Sequence, residues 1–416
     1  MCGVRNAPAI VDPDDGERGG RRSERVSMTD SSDILIIGGG IAGLSLAAAL
    51  GDRASVRLLE QEQGLAHHTS SRSARQMQPS YGPEPVRVLT EVSIGLVREI
   101  EARLGAPLLR PRPLYWLALD DAVDLEPLRA AIPGLRRVAA AEPGSRLPIL
   151  RAERVRDALL DPLAQEVDVP RLLDWYAGEA RRAGTEIVTD ARVSALTRHG
   201  ELWTATVGDG PDARTFSAPI VVNAAGAWAD QVAALAGVGP AGLVPLRRTV
   251  ALARLDAAID PDWPMVNDAG GSLYFRPDGD RLLSSALEDT PAEPHDAQPL
   301  PEVVARVTER LAAVVTPRVE FERAWTGLRT GAPDGVPVVG FDSEVPGFYW
   351  LAGQSGYGIQ TSAAFGALAA ADLLDLPLDA AVAAGGAAVA PSAAAAAFGA
   401  LAPGRFGDAA LRGSAA

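Results

Sequence analysis

The apolar pattern of the chain opens with Ile34-Leu35-Ile36-Ile37, an uninterrupted run of the kind found in a strand buried on both faces. Three glycines and then a small-residue segment, Leu44 to Leu50, follow at once, predicting a strand, a tight turn and a helix. Ser55 to Glu60 reads as a second strand ending in an acid, which completes a βαβ unit. Residues 85–104 place Val88, Leu89, Val92, Leu96, Val97 and Ile100 at helical spacing. Strand-like stretches recur at Leu114–Leu119, Glu186–Thr189, Arg192–Leu196, Trp203–Val207, Ile220–Asn223, Thr249–Leu255, Leu273–Arg276 and Arg281–Ser285. Ala177–Ala183 and Glu302–Val315 read as helical.

Helix and strand alternate near both ends, around a strand-rich middle. The fold class this predicts is α/β, α+β overall: a Rossmann-like nucleotide domain interleaved with a mixed-sheet substrate domain. The expected division is a disordered tail over 1–30, nucleotide-domain segments at 31–75, 151–243 and 331–378, substrate-domain segments at 76–150 and 244–330, and an Ala/Gly-rich end at 379–416.

Composition narrows the chemistry. The 416 residues carry 39 Lys+Arg against 53 Asp+Glu, a net charge of −14, and all 39 are arginine. Without lysine there is no Schiff base on the chain and no P-loop lysine. The acidic balance argues against nucleic-acid partners, and the glycines of 34–50 argue against a membrane span. Cys2 is the one cysteine, which leaves no disulfide or cysteine-based metal site and makes a cytoplasmic location the expectation, with peripheral membrane association as the variant. Met28 offers an alternative start to Met1.

Gly38, Gly40 and Gly43 directly follow a strand, open a helix and precede Glu60 at the end of the next strand, the context a dinucleotide fingerprint requires. Gly38 permits the turn, Gly40 lets backbone approach a pyrophosphate, and Gly43 allows close helix–sheet packing. Glu60 is placed to accept from a ribose hydroxyl. Two more strand–glycine-turn segments, Ile220 to Trp228 and Trp350 to Gln360, favour a long, deeply bound flavin over a dissociable nicotinamide.

With GGGIAG (38–43), HTSSRSARQMQPSYG (68–82), VVNAAGAWAD (221–230), DWPM (262–265), SLYFRPDG (272–279), AWTGLRTGAPDGVPVVG (324–340) and AGQSGYGIQTSAA (352–364), the chain resembles the D-amino acid oxidase/glycine oxidase-like FAD-dependent oxidoreductases, most closely their bacterial D-arginine dehydrogenase branch. The resemblance implies noncovalent FAD. It assigns the ADP half to Gly38, Gly40, Gly43 and Glu60, with Val193 at the adenine and Ser71, Arg72 and Ser73 along the pyrophosphate and flavin. Gly226 and Trp228 are expected at the ribityl chain and Gly356, Tyr357, Gly358, Ile359 and Gln360 at the isoalloxazine, with Ile41, Ala42, Gln61, Ala225 and Gly353 as further cofactor contacts.

The resemblance further implies oxidation of a D-amino acid to its imino acid, which water hydrolyses to a 2-oxo acid and ammonia. A bidentate arginine suits the carboxylate, and the matching residues are Arg329 and Arg248, with Tyr81 and Tyr274 as further donors; Gln360 is expected at the flavin or the amino group. Two positions depart from the branch. Gln76 replaces a histidine, leaving a water chain or the two tyrosines to take the amine proton. Leu114 replaces the glutamate that receives a substrate guanidinium, so the expected side chain is neutral and hydrophobic, in a pocket shaped by Leu114, Met265, Met77, Asn267 and Gln78. Arg276 stands near a position where some oxidases carry lysine, and a dehydrogenase passing electrons to a quinone is expected ahead of an oxidase using oxygen. A secondary amine of the glycine or sarcosine type, a 2-hydroxy acid, a flavin subunit of a heteromeric dehydrogenase and a non-enzymatic dinucleotide module are the alternatives.

Overall fold

The computed structural model describes residues 31–383 and 389–406. The expected tail over 1–30, with Cys2 and Met28, lies outside the described residues, as do 384–388 and 407–416 of the Ala/Gly-rich end.

The run at 34–37 forms the strand Ile34–Ile37, buried throughout, at the centre of a six-stranded sheet. In spatial order its strands are Val338–Phe341, Phe348–Ala352, Ile220–Asn223, Ile34–Ile37, Val56–Leu59 and Glu186–Val188. All pairings are parallel except that of Val338–Phe341 with Phe348–Ala352. Helix Ile41–Leu50 packs between helices Val169–Arg182 and Gly358–Leu373 over one face. The expected helix at 85–104 is Glu84–Leu104, whose Leu89, Val92 and Val97 join this same core. Part of the Ala/Gly-rich end joins it too: helix Pro391–Gly399 buries Ala394, Ala397 and Phe398 there.

The second layer is a nine-stranded sheet. Its order is Thr290–Pro291, Val244–Leu255, Arg281–Ser285, Tyr274–Asp278, Met265–Asp268, Leu114–Ala118, Asp157–Asp161 and Arg136–Val138, with Val319–Gly331 also paired to Val244–Leu255. Two expectations shift. Asp157–Asp161 is hydrogen-bonded in this sheet although the boundary expected at 150 assigns it to the nucleotide layer, and the residues of 84–104 pack with the nucleotide core instead of this sheet. Among the described residues no helix is long and apolar enough to cross a membrane.

Glycine at 38 and 43 is a packing requirement. Gly38 has φ +112°, and a Cβ there would lie 2.4 Å from the Ala224 carbonyl oxygen. A Cβ on Gly43 would lie 2.0 Å from the Gly38 carbonyl oxygen. Gly43→Ala is therefore expected to cost about 2 kcal/mol or more through forced backbone displacement, seen as a lowered Tm in thermal unfolding. Gly64→Ala, where a Cβ meets nothing within 4 Å, is the control; equal Tm values for the two variants would contradict this packing.

Candidate active site

Two cavities meet above the first turn. The larger, about 530 Å³, is lined by Gly38, Gly40, Glu60, Gln61, Val193, Ala225, Gly226 and Trp228. The smaller, about 330 Å³, is lined by Ile41, Ala42, Gln76, Tyr81, Arg248, Met265, Tyr274, Arg329, Gly353, Gly356, Gly358, Ile359 and Gln360. Gly40, Thr69, Ser70, Ala224, Gly226 and Ala227 line both, so the two form one elongated cleft.

The larger cavity has the form of an adenine-nucleotide site. The amino end of helix Ile41–Leu50 borders it and offers backbone N–H groups and a partial positive charge to phosphate. Glu60 is buried; its Oε2 accepts from the Gly39 amide at 2.7 Å and its Oε1 from the Glu62 amide at 2.9 Å. A carboxylate has lone pairs beyond those two, so a ribose hydroxyl can still be accepted. His67 and His68 also line this cavity, with His68 against Trp228 at 4.7 Å between ring centroids and its Nε2 3.0 Å from Glu62 Oε1. The sequence reading gives neither histidine a role, although His68 opens the 68–82 segment; the HHTSSR run could have drawn notice to them.

Several expected cofactor contacts lie elsewhere. The single turn Thr69–Arg72 directs Ser70 into the cleft, where its Oγ accepts from the Ile41 amide at 2.9 Å. Ser71 points outward, its hydroxyl donating to the His67 and His68 carbonyls. Arg72 reaches the smaller cavity, but its guanidinium is spent on the Thr326 carbonyl and on Asp296. Ser73 lines the smaller cavity. Trp228 stands with Glu60 and Val193, not along the smaller cavity. Gly43 lines neither cavity because it packs on Gly38. Tyr357 does not line the smaller cavity either; it lies against Tyr81, ring centroids 5.2 Å apart, and burial pushes its pKa up to about 12.

One face of the nine-stranded sheet forms the far wall of the smaller cavity. Side chains two apart on a strand share a face, and register aligns Ser285, Tyr274, Asn267 and Trp116 in a row across four strands. Arg248 and Arg329 come from the two strands beyond Ser285, Val244–Leu255 and Val319–Gly331. The wall therefore runs from two arginines, through a tyrosine, to an asparagine and a tryptophan.

Arg248 is buried; its Nε donates to the Glu288 carbonyl at 2.7 Å, Nη2 pairs with Asp289, and Nη1 has no partner. Burial, then repulsion from Arg329, lowers its pKa. Arg329 is half-buried, and among the described residues no side-chain hydrogen bond or ion pair engages its guanidinium. Withdrawal from water opposes its charge, but the oxygens of Tyr81 and Tyr274 and the Asp289 carboxylate outweigh this and raise its pKa. The Tyr274 hydroxyl is buried without a partner, as are both amide atoms of Gln76. A cation, a phenol and an amide left open around one cavity can receive an anionic group with polar neighbours.

Other expectations are corrected by depth along a strand. Leu114 is fully buried in a cluster with Met265, Tyr274 and Leu283 and does not line the cavity; Trp116, two residues on, does. Met77 faces the nucleotide core while Gln76 and Gln78 face the cavity. Gln360 lines the cavity, but its Nε2 donates to the Tyr81 carbonyl and Thr90 Oγ1, and its Oε1 accepts from the Gln78 amide at 3.4 Å, so it fixes the 78–81 loop. Arg276 is fully buried behind Ala74, donating to the Ala74 carbonyl and to Glu166, and is absent from the cavity wall; burial lowers its pKa to about 10. The cleft thus has no lysine-like cation at that point.

The glycine turn, the elongated cleft and its open polar atoms fit a flavin dinucleotide, and FAD is the cofactor of the family whose model the chain matches. That model, described as FAD dependent oxidoreductase, matches residues 33–372. Among curated proteins the chain is 28% identical over 199 residues to "Hydrogen cyanide synthase subunit HcnC" of Pseudomonas aeruginosa, covering 48% of this chain and 46% of that one. The chain spans about half the length of the first such relatives it matches. It is 25% identical to a glycine oxidase of Geobacillus kaustophilus over 388 residues, 84% of this chain and 94% of that protein. The fold also matches the crystal structure of L-proline dehydrogenase from P. horikoshii, with TM-score 0.75 and 20% identity over 91% of this chain and 98% of that one. With its glycine turn, cleft and matched length, the chain belongs to the FAD dependent oxidoreductase family.

Proposed function

We propose that the protein is a D-amino acid dehydrogenase acting on substrates with a neutral side chain, oxidising the Cα–N bond to an imine that water hydrolyses to a 2-oxo acid and ammonia. The observation that carries this reading is Arg329: a guanidinium on the wall of the smaller cavity with no hydrogen bond or ion pair of its own among the described residues. A substrate carboxylate supplies what it lacks, in bidentate form. Tyr81 and Tyr274 add phenol donors, and Arg248, through its free Nη1, adds a second cation. Bound FAD supplies the hydride acceptor. The chain's part is to hold Cα at the flavin by its carboxylate, since orientation alone can contribute several kcal/mol.

The amine must shed a proton to form the imine. Among the described residues lining the smaller cavity there is no histidine, and the one acid, Asp268, has its oxygens on the Gly270 and Ser272 amides at 3.1 and 2.9 Å. Water, relayed by the phenol oxygens of Tyr81 and Tyr274, takes that proton. The D configuration and the dehydrogenase reading rest on the motif resemblance; the withdrawal of Arg276 into its pair with Glu166 supports the latter, because oxygen activation favours a cation beside the flavin ring. The Asp268 carboxylate, capped by amides, is a poor partner for a substrate guanidinium, which would cost several kcal/mol, roughly, if left unpaired.

The names of the relatives support a second reading, an amine-oxidising flavin subunit or a glycine-type oxidase. Purified protein that binds FAD, yet is bleached by no amino acid until a partner subunit is added, would favour the subunit form.

Arg329→Leu is expected to lower kcat/KM for D-alanine and D-methionine by about 10²–10³-fold, the loss of a buried charge contact of about 3–4 kcal/mol, with FAD content unchanged. In the wild type under anaerobic conditions, both amino acids should bleach the flavin faster than D-arginine. A change within threefold at Arg329, or faster bleaching by D-arginine, would remove the clamp or the neutral pocket respectively. In air, peroxide should account for less than a tenth of the turnover seen with an artificial acceptor; stoichiometric peroxide would make the protein an oxidase.

A further inference from the structure

Besides Gln360, whose carboxamide is engaged on both sides, the wall of the smaller cavity carries three buried carboxamides beyond the arginine end: Gln76, Gln78 and Asn267. Their hydrogen bonding is incomplete. Asn267 Oδ1 has no partner, and neither amide atom of Gln76 has one. Gln78 Nε2 donates to the thioether of Met265 at 3.3 Å, a weak acceptor, and Gln78 Oε1 receives Asn267 Nδ2 only at 3.5 Å, the outer limit of a hydrogen bond. Buried polar groups are ordinarily satisfied, so a cluster left open on a binding cavity points to what the cavity takes up.

The register gives the cluster its place. Asn267 stands opposite Tyr274 on one side and Trp116 on the other. Strands lie about 4.8 Å apart, so Asn267 is three strand spacings, roughly 14 Å of backbone, from the strand bearing Arg248 and four, roughly 19 Å, from the strand bearing Arg329, spans that the long arginine side chains shorten from their own end. A molecule anchored by its carboxylate at the arginines meets the carboxamides with its side chain. Trp116 closes that end; its indole N–H donates to Ser80 Oγ at 3.0 Å and is unavailable to a ligand.

We propose that the carboxamide cluster of Gln78 and Asn267, with Gln76 beside it, selects an amino acid whose side chain ends in a carboxamide, as in D-asparagine and D-glutamine. This rests on the amino-acid oxidation proposed above and replaces the hydrophobic side chain expected from Leu114, which does not reach the cavity. A ligand carboxamide donates to Asn267 Oδ1 and accepts from Gln78 Nε2, satisfying both at once. An apolar side chain of the same shape leaves them unpaired, and sites built to hydrogen-bond their substrate reject such isosteres by as much as ~10⁴-fold. A side-chain carboxylate cannot donate to Asn267 Oδ1, and a guanidinium has no acceptor group for Gln78 Nε2.

The test needs no turnover. Succinamate is D-asparagine without its amine, and 4-methylpentanoate is its apolar isostere. Titrated into the FAD-bound protein and followed by the change in flavin absorbance, succinamate should bind at least tenfold more tightly. Asn267→Leu should bring the two within threefold at unchanged FAD content. In anaerobic bleaching D-asparagine should outpace D-leucine and D-aspartate. Equal or tighter binding of 4-methylpentanoate to the wild type overturns the inference, whatever the fate of the variant; so does a tenfold preference that survives in a folded, FAD-bound Asn267→Leu. D-Alanine, too short to reach the carboxamides, separates the two levels. Bleaching by D-alanine without a preference for succinamate removes this inference alone, whereas a succinamate preference with no bleaching by any amino acid removes the oxidation and leaves the carboxamide recognition standing.

Discussion

Arg329 places a positive charge on the wall of a cleft, among phenol oxygens and beside a second arginine, with no hydrogen bond or ion pair of its own among the described residues. Two guanidiniums facing one cavity repel, and the lowered pKa of Arg248 registers that repulsion alongside its burial. Asp289 offsets part of it through Arg248. What remains is an arrangement of charge that an incoming anion relieves, so the site is organised for a ligand instead of for its own neutrality. Electrostatic contacts of this kind gain strength where water is displaced, as a flavin and a substrate together would displace it.

The fold supplies this geometry by bringing two independent sheets to one seam. The six-stranded sheet contributes the glycine turn and the helix that begins at Ile41. The nine-stranded sheet contributes a single face, on which alternation carries Arg248, Tyr274, Asn267 and Trp116 to the same side. The segment 66–81 threads between them: Ser70 caps the Ile41 amide, Gln76 and Gln78 look into the cavity, and Tyr81 completes the phenol pair. Gln360, at the start of helix Gly358–Leu373, ties that segment down through Tyr81 and Thr90. Backbone packing of Gly43 on Gly38 sets how closely helix and strand approach, and so where the cleft floor lies.

The βαβ unit and the glycine turn were legible in the chain because each rests on local rules, an apolar run and a turn that only glycine allows, whereas the arginine–tyrosine set came from the motif resemblance. What was not legible depends on distant partners or on depth. Ser70 rather than Ser71 faces the cleft because a single turn at 69–72 rotates the choice by one residue. Leu114 and Trp116 share a face, and nothing in alternation says which of them reaches the cavity. Arg276 lies on the same strand face as Tyr274 but is captured by Glu166, far away in sequence. The strand Val319–Gly331, half exposed and studded with charge, carries no apolar run to announce it, though it delivers Arg329. The Asp157–Asp161 strand crosses the expected boundary for the same reason: pairing, not composition, decides its layer.

The central claim is that an anionic group of the substrate is what Arg329 awaits. Comparing the dissociation constants of succinamate and butanediamide for the FAD-bound protein tests it most directly, because the pair differs only in replacing a carboxylate by a carboxamide at one end. The account predicts that succinamate binds at least a hundredfold more tightly, and that Arg329→Leu erases most of the difference. Comparable affinity for the diamide in the wild type would contradict it.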